Sequence, residues 1–230
     1  MRLFISGSAP LLPETFGEFK ERTGHTILER YGMTETGMLT SNPLNGERKG
    51  GTVGMPLPGV SVRVVDDAGK TLPTGEIGQI QVKGDNVLSG YWRLPEKNKE
   101  EFTADGFFKT GDVGRFDTDG YVSIVGRSKD LVITGGYNVY PKEIELLIDE
   151  LPGVAESAVI GVPHVDFGEA VTAVVVPKKG AALDEAAVIA ALKNRLANFK
   201  VPKRVHFVDD LPRNAMGKVQ KNMLRERYKG

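Results

Sequence analysis

Residues 106–145 read GFFKTGDVGRFDTDGYVSIVGRSKDLVITGGYNVYPKEIE, and two structural grammars meet inside that one stretch. Up to Arg127 it is β text: GYVSIVGR, 120–127, is a strand bounded by glycines. Beyond Arg127 the text changes. LVIT, 131–134, is a short apolar run, and Gly135 and Gly136 follow it. Pro141 then opens a helix, with Ile144, Leu147, Ile148 and Leu151 at i, i+3, i+4 and i+7. The change places a boundary at Ser128–Asp130, between a β-rich part, 1–128, and an α+β part, 129–230.

Upstream, LFIS, 3–6, is a short strand stopped by Gly7-Ser8-Ala9-Pro10. PETFGEFKERT, 13–23, starts with Pro and carries acids early and bases late, as helix termini prefer, and Gly24 is its stop. HTILERYGMTETG, 25–37, gives another short strand and a loop. From about 50 to 127, SVRVVDD and IGQIQVKG alternate between turn residues, at roughly ten-residue spacing that fits a small barrel or sandwich. Downstream, SAVIGVP and AVTAVVVP read as strands. Asp184 caps a helix running to about 199, and VHFVDDLP is a last strand. The fold class is mixed α+β.

Composition narrows the function classes. Lys+Arg 30 against Asp+Glu 30 gives no electrostatic case for nucleic acid or an anionic membrane as partner. Cysteine is absent, which excludes a thiolate nucleophile and fits a reducing cytoplasm. No apolar run approaches the ~18 residues of a membrane span. His25, His164 and His206 are scattered without ligand spacing.

Several short constellations can carry chemistry, and each has a structural alternative. Tyr31-Gly32-Met33-Thr34-Glu35-Thr36-Gly37 offers an aromatic face, hydroxyls, N–H groups and a carboxylate, enough to hold a base, phosphate oxygens and Mg²⁺. On spacing alone it reads first as a capped strand-to-helix turn with Thr34 and Glu35 solvated. Asp112, after Thr110-Gly111, can accept protons from ribose hydroxyls or bond its own backbone. Arg127 can complement hydroxyls or phosphates, or belong to a charged linker with Lys129. Gly135-Gly136 either admits a ligand close to the backbone or makes a strand-to-helix turn needing φ > 0. Gly217-Lys218 is not a phosphate loop, because Pro212 stands where its first glycine belongs and Val219 follows the lysine.

In order along the chain, SGSAPL, YGMTET, the 106–145 block and PRNAMGKVQK resemble the later core motifs of the acyl-adenylate-forming superfamily. GYWRLPEK, ITGGYNVYPKEIE and VPHVDFGEAVTAVVV are similar to the malonyl-CoA synthetases within it. The resemblance covers essentially the whole chain. It implies a two-step reaction with ATP and coenzyme A: a carboxylate forms acyl-AMP, and the thiol then displaces AMP. It also implies roles. Glu35 would hold Mg²⁺, Thr34 would contact phosphates, and Tyr31 would stack on adenine. Ser8, Ala9 and Pro10 would line the adenine and acyl pocket. Asp112 and Arg127 would hold the ribose, and Lys218 would bridge the acyl carboxylate and α-phosphate. Lys129 would be the hinge of a mobile domain, with Gly217 letting the Lys218 backbone bend. Gly135 and Gly136 would line the pantetheine channel.

The superfamily's earlier Gly/Ser/Thr-rich phosphate loop, TSGTTGxPKG, has no counterpart in these 230 residues. The resemblance therefore implies a C-terminal part of an AMP-forming acyl-CoA synthetase, inactive by itself, with malonate as the expected acid. The alternatives are a fatty-acyl or aryl-acid CoA ligase, or a nucleotide- or CoA-binding fragment without catalysis.

Overall fold

A computed structural model describes residues 2–215 and 217–229. The chain forms two compact units, dividing between Ser128 and Lys129.

The first unit opens with strand β1 (Ile5–Ser6), helix α1 (Pro13–Thr23) and strand β2 (Leu28–Met33), which pairs in parallel with β1. Pro13 sits in the first turn of α1, Glu14 meets its positive end, and Lys20 and Arg22 its negative end. Gly24, at φ +71°, closes the helix by donating its N–H to the Lys20 carbonyl. β3 (Gly37–Ser41) and β4 (Met55–Pro56) complete a sheet of order β1-β2-β3-β4. The ladder bulges between Tyr31 and Gly32. A Cβ on Gly32 would lie 2.1 Å from the Gly37 carbonyl oxygen, so the close turn after Met33 requires glycine there.

β5 (Ser61–Val65), β6 (Gly78–Lys83), β7 (Phe108–Phe116) and β8 (Val122–Arg127) form an antiparallel sheet in that order. The sheet stays open, so of the small barrel and the sandwich that the strand spacing fits, no barrel closes. Its apolar face, with Val64, Ile80, Phe108 and Val122, is covered by Leu39 of β3 and by Val53, so closure is not needed to bury it. A short helix, α2 (Pro95–Glu101), precedes β7; it buries no residue, and the apolar pattern carries no trace of it.

The second unit contains β9 (Val132–Thr134), β10 (Tyr137–Val139), α3 (Pro141–Asp149), β11 (Val154–His164), β12 (Gly168–Pro177), α4 (Glu185–Lys193), β13 (Arg204–Phe207) and α5 (Lys221–Tyr228). The sheet runs β10-β9-β12-β11, with β13 parallel to β12. Ile144 and Ile148 of α3 and Val188 and Leu192 of α4 pack with Val159 and Val171 on one face. Leu224 of α5 packs with Ala158, Ile160 and Val174 on the other. Coverage on both faces explains why β11 and β12 are near-continuous apolar runs.

Asp184 caps α4, its Oδ1 accepting from Ala187 N–H at 2.8 Å. The helix ends at Lys193 rather than near 199. Arg195 and Leu196 both donate to the Leu192 carbonyl in tight turns, while Leu196 and Phe199 still pack on the core. The apolar stripe therefore outlasts the helix.

Candidate active site

In the first unit the structure gathers Tyr31, Asp112 and Arg127. Asp112 on β7 stands directly opposite Arg127, the last residue of β8. Arg127 Nε lies 2.9 Å from Asp112 Oδ1. Tyr31, on β2 of the other sheet, donates its hydroxyl to Asp112 Oδ2. Asp112 N–H in turn donates to Thr110 Oγ1 at 3.1 Å. The carboxylate is buried, with 6 % of its side chain exposed, whereas Arg127 keeps 43 %. Burial, and then the Asp112 charge, push the Tyr31 hydroxyl well above the usual phenol range. That group therefore stays protonated and donates.

Two donors occupy two of the roughly four lone-pair directions of Asp112. A carboxylate with spare acceptor capacity beside a half-open guanidinium suits a vicinal diol, whose hydroxyls both donate and accept. The Tyr31 ring itself is half-buried against the core that joins the two sheets.

Thr34 and Glu35 lie in the tight turn between β2 and β3, Thr34 exposed and Glu35 half-buried. Glu35 Oε1 accepts from the Tyr91 hydroxyl at 3.3 Å, and its carbonyl accepts from Leu88 N–H at 2.8 Å. Burial and the Glu35 charge raise the Tyr91 hydroxyl, so it too is a donor. Asn98 holds the Tyr91 backbone on both sides, through Oδ1 at 2.7 Å and Nδ2 at 3.2 Å. Tyr91 is a residue that motif spacing passes over, because it lies 56 positions from the carboxylate it meets. Among the described residues no group of three or more His, Cys, Asp or Glu side chains could hold a metal. Glu35 alone is nevertheless a suitable donor for Mg²⁺, which binds through one or two carboxylates plus substrate phosphates.

Ser8, Ala9 and Pro10 form the exposed loop after β1, with Ser8 at φ +67°. β1 and β2 run parallel, so this loop and the Tyr31–Glu35 segment leave the carboxyl ends of neighbouring strands. Ligands of α/β folds gather at such ends.

In the second unit, Gly135 (φ +56°) and Gly136 (φ +82°) form the two-residue turn of the β9–β10 hairpin, with Thr134 paired to Tyr137. This corrects the strand-to-helix reading: a further strand, β10, intervenes before α3. Both glycines need positive φ because the hairpin turn matches the strand twist only in that form. No atom lies within 4 Å of a Cβ built on Gly136, so the tip is open.

Lys218 is exposed on another hairpin, closed by the bridge Arg213–Val219. Lys218 N–H donates to Asn214 Oδ1 at 2.9 Å, and its carbonyl accepts from Asn214 N–H at 2.9 Å. Gly217, at φ +78°, is locked in that turn by a 2.9 Å bond from its N–H to the Asn214 carbonyl. The glycine thus supplies the positive φ of that turn. Lys129 is the first residue of the second unit, within the short 3-10 turn Ser128–Asp130.

Two family models match stretches of the chain. The AMP-binding enzyme model matches residues 1–92, and the AMP-binding enzyme C-terminal domain model matches 143–218. A malonate–CoA ligase of Arabidopsis thaliana is 45 % identical over 237 residues, covering 98 % of this chain and 38 % of that protein. An oxalate–CoA ligase of Saccharomyces cerevisiae is 39 % identical over 231 residues, covering 99 % of this chain and 42 % of that protein. Among solved structures, ATP-bound MatB from Rhodopseudomonas palustris superposes with TM-score 0.98 at 68 % identity, covering 100 % of this chain and 46 % of that one. The chain thus spans less than half the length of these relatives.

Proposed function

We propose that this chain, which belongs to the AMP-binding enzyme family, is the part of an AMP-forming acyl-CoA synthetase that holds the nucleotide ribose and carries the adenylation lysine, with malonate as the acid. The Tyr31–Asp112–Arg127 cluster carries the reading. It is a buried acceptor held by two fixed donors, one of them the half-exposed Arg127 guanidinium, as suits a ribose diol. Malonate rests on the similarity to a malonate–CoA ligase. A feruloyl-CoA synthase of Streptomyces, at 41 % identity, keeps an aryl acid as the second reading.

In the first half-reaction an acid oxygen attacks the α-phosphorus of ATP and pyrophosphate leaves. Such a step needs alignment and charge compensation more than covalent help. Lys218 supplies a cation to the acyl carboxylate and the α-phosphate. Asp112 and Arg127 fix the ribose, Tyr31 offers its ring to adenine, and Thr34 contacts phosphate oxygens. Glu35 would hold Mg²⁺, which would supply neutralisation of phosphate charge there. In the second half-reaction the coenzyme A thiol displaces AMP, and the open Gly135–Gly136 tip borders the pantetheine arm. A turn about Lys129 exchanges the two functions.

The test is direct. The 230-residue chain, given malonate, ATP, Mg²⁺ and coenzyme A, is expected to form no thioester; product above a Lys218→Ala control overturns that. In the full-length enzyme, Asp112→Asn is expected to raise the KM for ATP. An unchanged KM removes the ribose assignment, and ferulate outcompeting malonate favours the aryl reading.

A further inference from the structure

The Lys218 hairpin is tied to the rest of its unit by a side chain that the family motifs leave without a role. Arg213 begins the hairpin, and its guanidinium works in two directions. Nη1 donates to the Gly217 carbonyl at 2.7 Å, one residue before the lysine. Nη2 forms an ion pair with Glu156 of β11, the strand that pairs with β12 at the end of the sheet order. Gln220 N–H donates to the Pro212 carbonyl at 2.7 Å and closes the base of the hairpin.

We infer that Arg213 and Glu156 are positioning residues that fix the backbone presenting Lys218, so that the amine reaches the reacting groups by movement of the unit and not by flexing of the loop. The inference rests on the reading of Lys218 as the adenylation lysine.

The local bonds through Asn214 give the hairpin its shape; Arg213 connects the lysine's neighbouring carbonyl to the sheet. The planar fork of arginine can serve two acceptors at once, which a lysine ammonium on a flexible stem does poorly. Arg213 and Glu156 keep 38 % and 28 % of their side chains exposed. An ion pair so open to solvent adds little to the stability of the fold. Its loss therefore acts on the placement of the hairpin and not through global unfolding.

Two measurements test this. The first uses the 230-residue chain and follows tryptic cleavage after Lys218. Arg213→Ala and Glu156→Gln are each expected to speed that cleavage about tenfold, because an untethered loop opens more often, while cleavage elsewhere is unchanged. The second uses the full-length enzyme and separates the half-reactions. Both variants are expected to lower kcat for pyrophosphate release from malonate and ATP by about 10- to 100-fold, the scale of a roughly 1 Å misplacement. Thioester formation from supplied malonyl-AMP and coenzyme A is expected to be unaffected. Arg213→Lys is expected to remain impaired. Unchanged cleavage after Lys218, or equal loss in both half-reactions, overturns the inference. Normal adenylation by Arg213→Ala alongside a crippled Lys218→Ala refutes the positioning role alone. Normal adenylation by Lys218→Ala refutes the reading of the lysine, and the positioning role with it.

Discussion

In the first unit the candidate binding groups are sheltered and paired: Asp112 is buried, with Tyr31 and Arg127 both directed at its oxygens. In the second unit Lys218 stands exposed on a hairpin, while Lys221, three positions on, is almost enclosed against Glu145. The difference follows from electrostatics. A carboxylate can be buried if donors surround it, and it then serves as a fixed acceptor. A lysine meant for a ligand cannot be paired in advance, and an unpaired buried ammonium would lose its proton. The role proposed for Lys218 thus requires the exposure it has. Lys221 shows the other solution: its Nζ lies 2.5 Å from Glu145 Oε1, which also accepts from Val159 N–H at 2.9 Å.

The sharpest break of this contrast is Lys218→Ala. In the full-length enzyme, adenylation is expected to fall about 10²- to 10³-fold, the scale of removing one preorganised charge-stabilising donor. Stability, read from the urea midpoint, is expected to move by less than about 0.5 kcal/mol. Lys221→Met should reverse the pattern. It strands the Glu145 charge, and unfolding is expected to become easier by about 3 kcal/mol, the low end for a buried pair because Lys221 keeps 17 % exposure. A neutral Lys221→Met would erase the distinction between the two lysines.

Asp112→Asn tests the buried side. Removing its charge-assisted hydrogen bonds is expected to weaken ATP binding by about 1.5–3 kcal/mol, roughly 10- to 100-fold in KM. The smallest effect concerns Asp149, the last residue of α3. Burial pushes its carboxyl up from 3.8 to about 6, against a lowering bond from Ser157. The folded state then binds a proton that the unfolded state releases, so stability is expected to rise as pH falls from 7 through 6 toward 4. Asp149→Asn should flatten that dependence and stabilise the chain at pH 7 by on the order of 1 kcal/mol, discounted for partial exposure. Urea midpoints at pH 5 and 7 measure it; a fall in stability on acidification refutes it.

Much of this was legible in residue order. α1, its glycine stop, the Asp184 cap and the boundary near Ser128 follow from local rules of termini and period, which need no partner. α2 and α5 escaped, because α2 buries no residue and α5 buries only Leu224. A helix with so little apolar surface leaves no periodic trace. β10 escaped because its three residues are too few to show alternation.

The same division holds for the candidate site. Sequence alone determined which groups are present: the carboxylates at Glu35 and Asp112, the cations at Arg127 and Lys218, and the paired glycines at 135 and 136. Residue type and motif order are local properties. Tertiary structure decided which of those groups meet. It set the Tyr31 hydroxyl on Asp112 across 81 positions, Tyr91 on Glu35 across 56, and Arg213 on Glu156 across 57. Such pairings depend on how two sheets pack and on strand register, and the energy that selects them is burial spread over a whole core, which no short window of sequence contains.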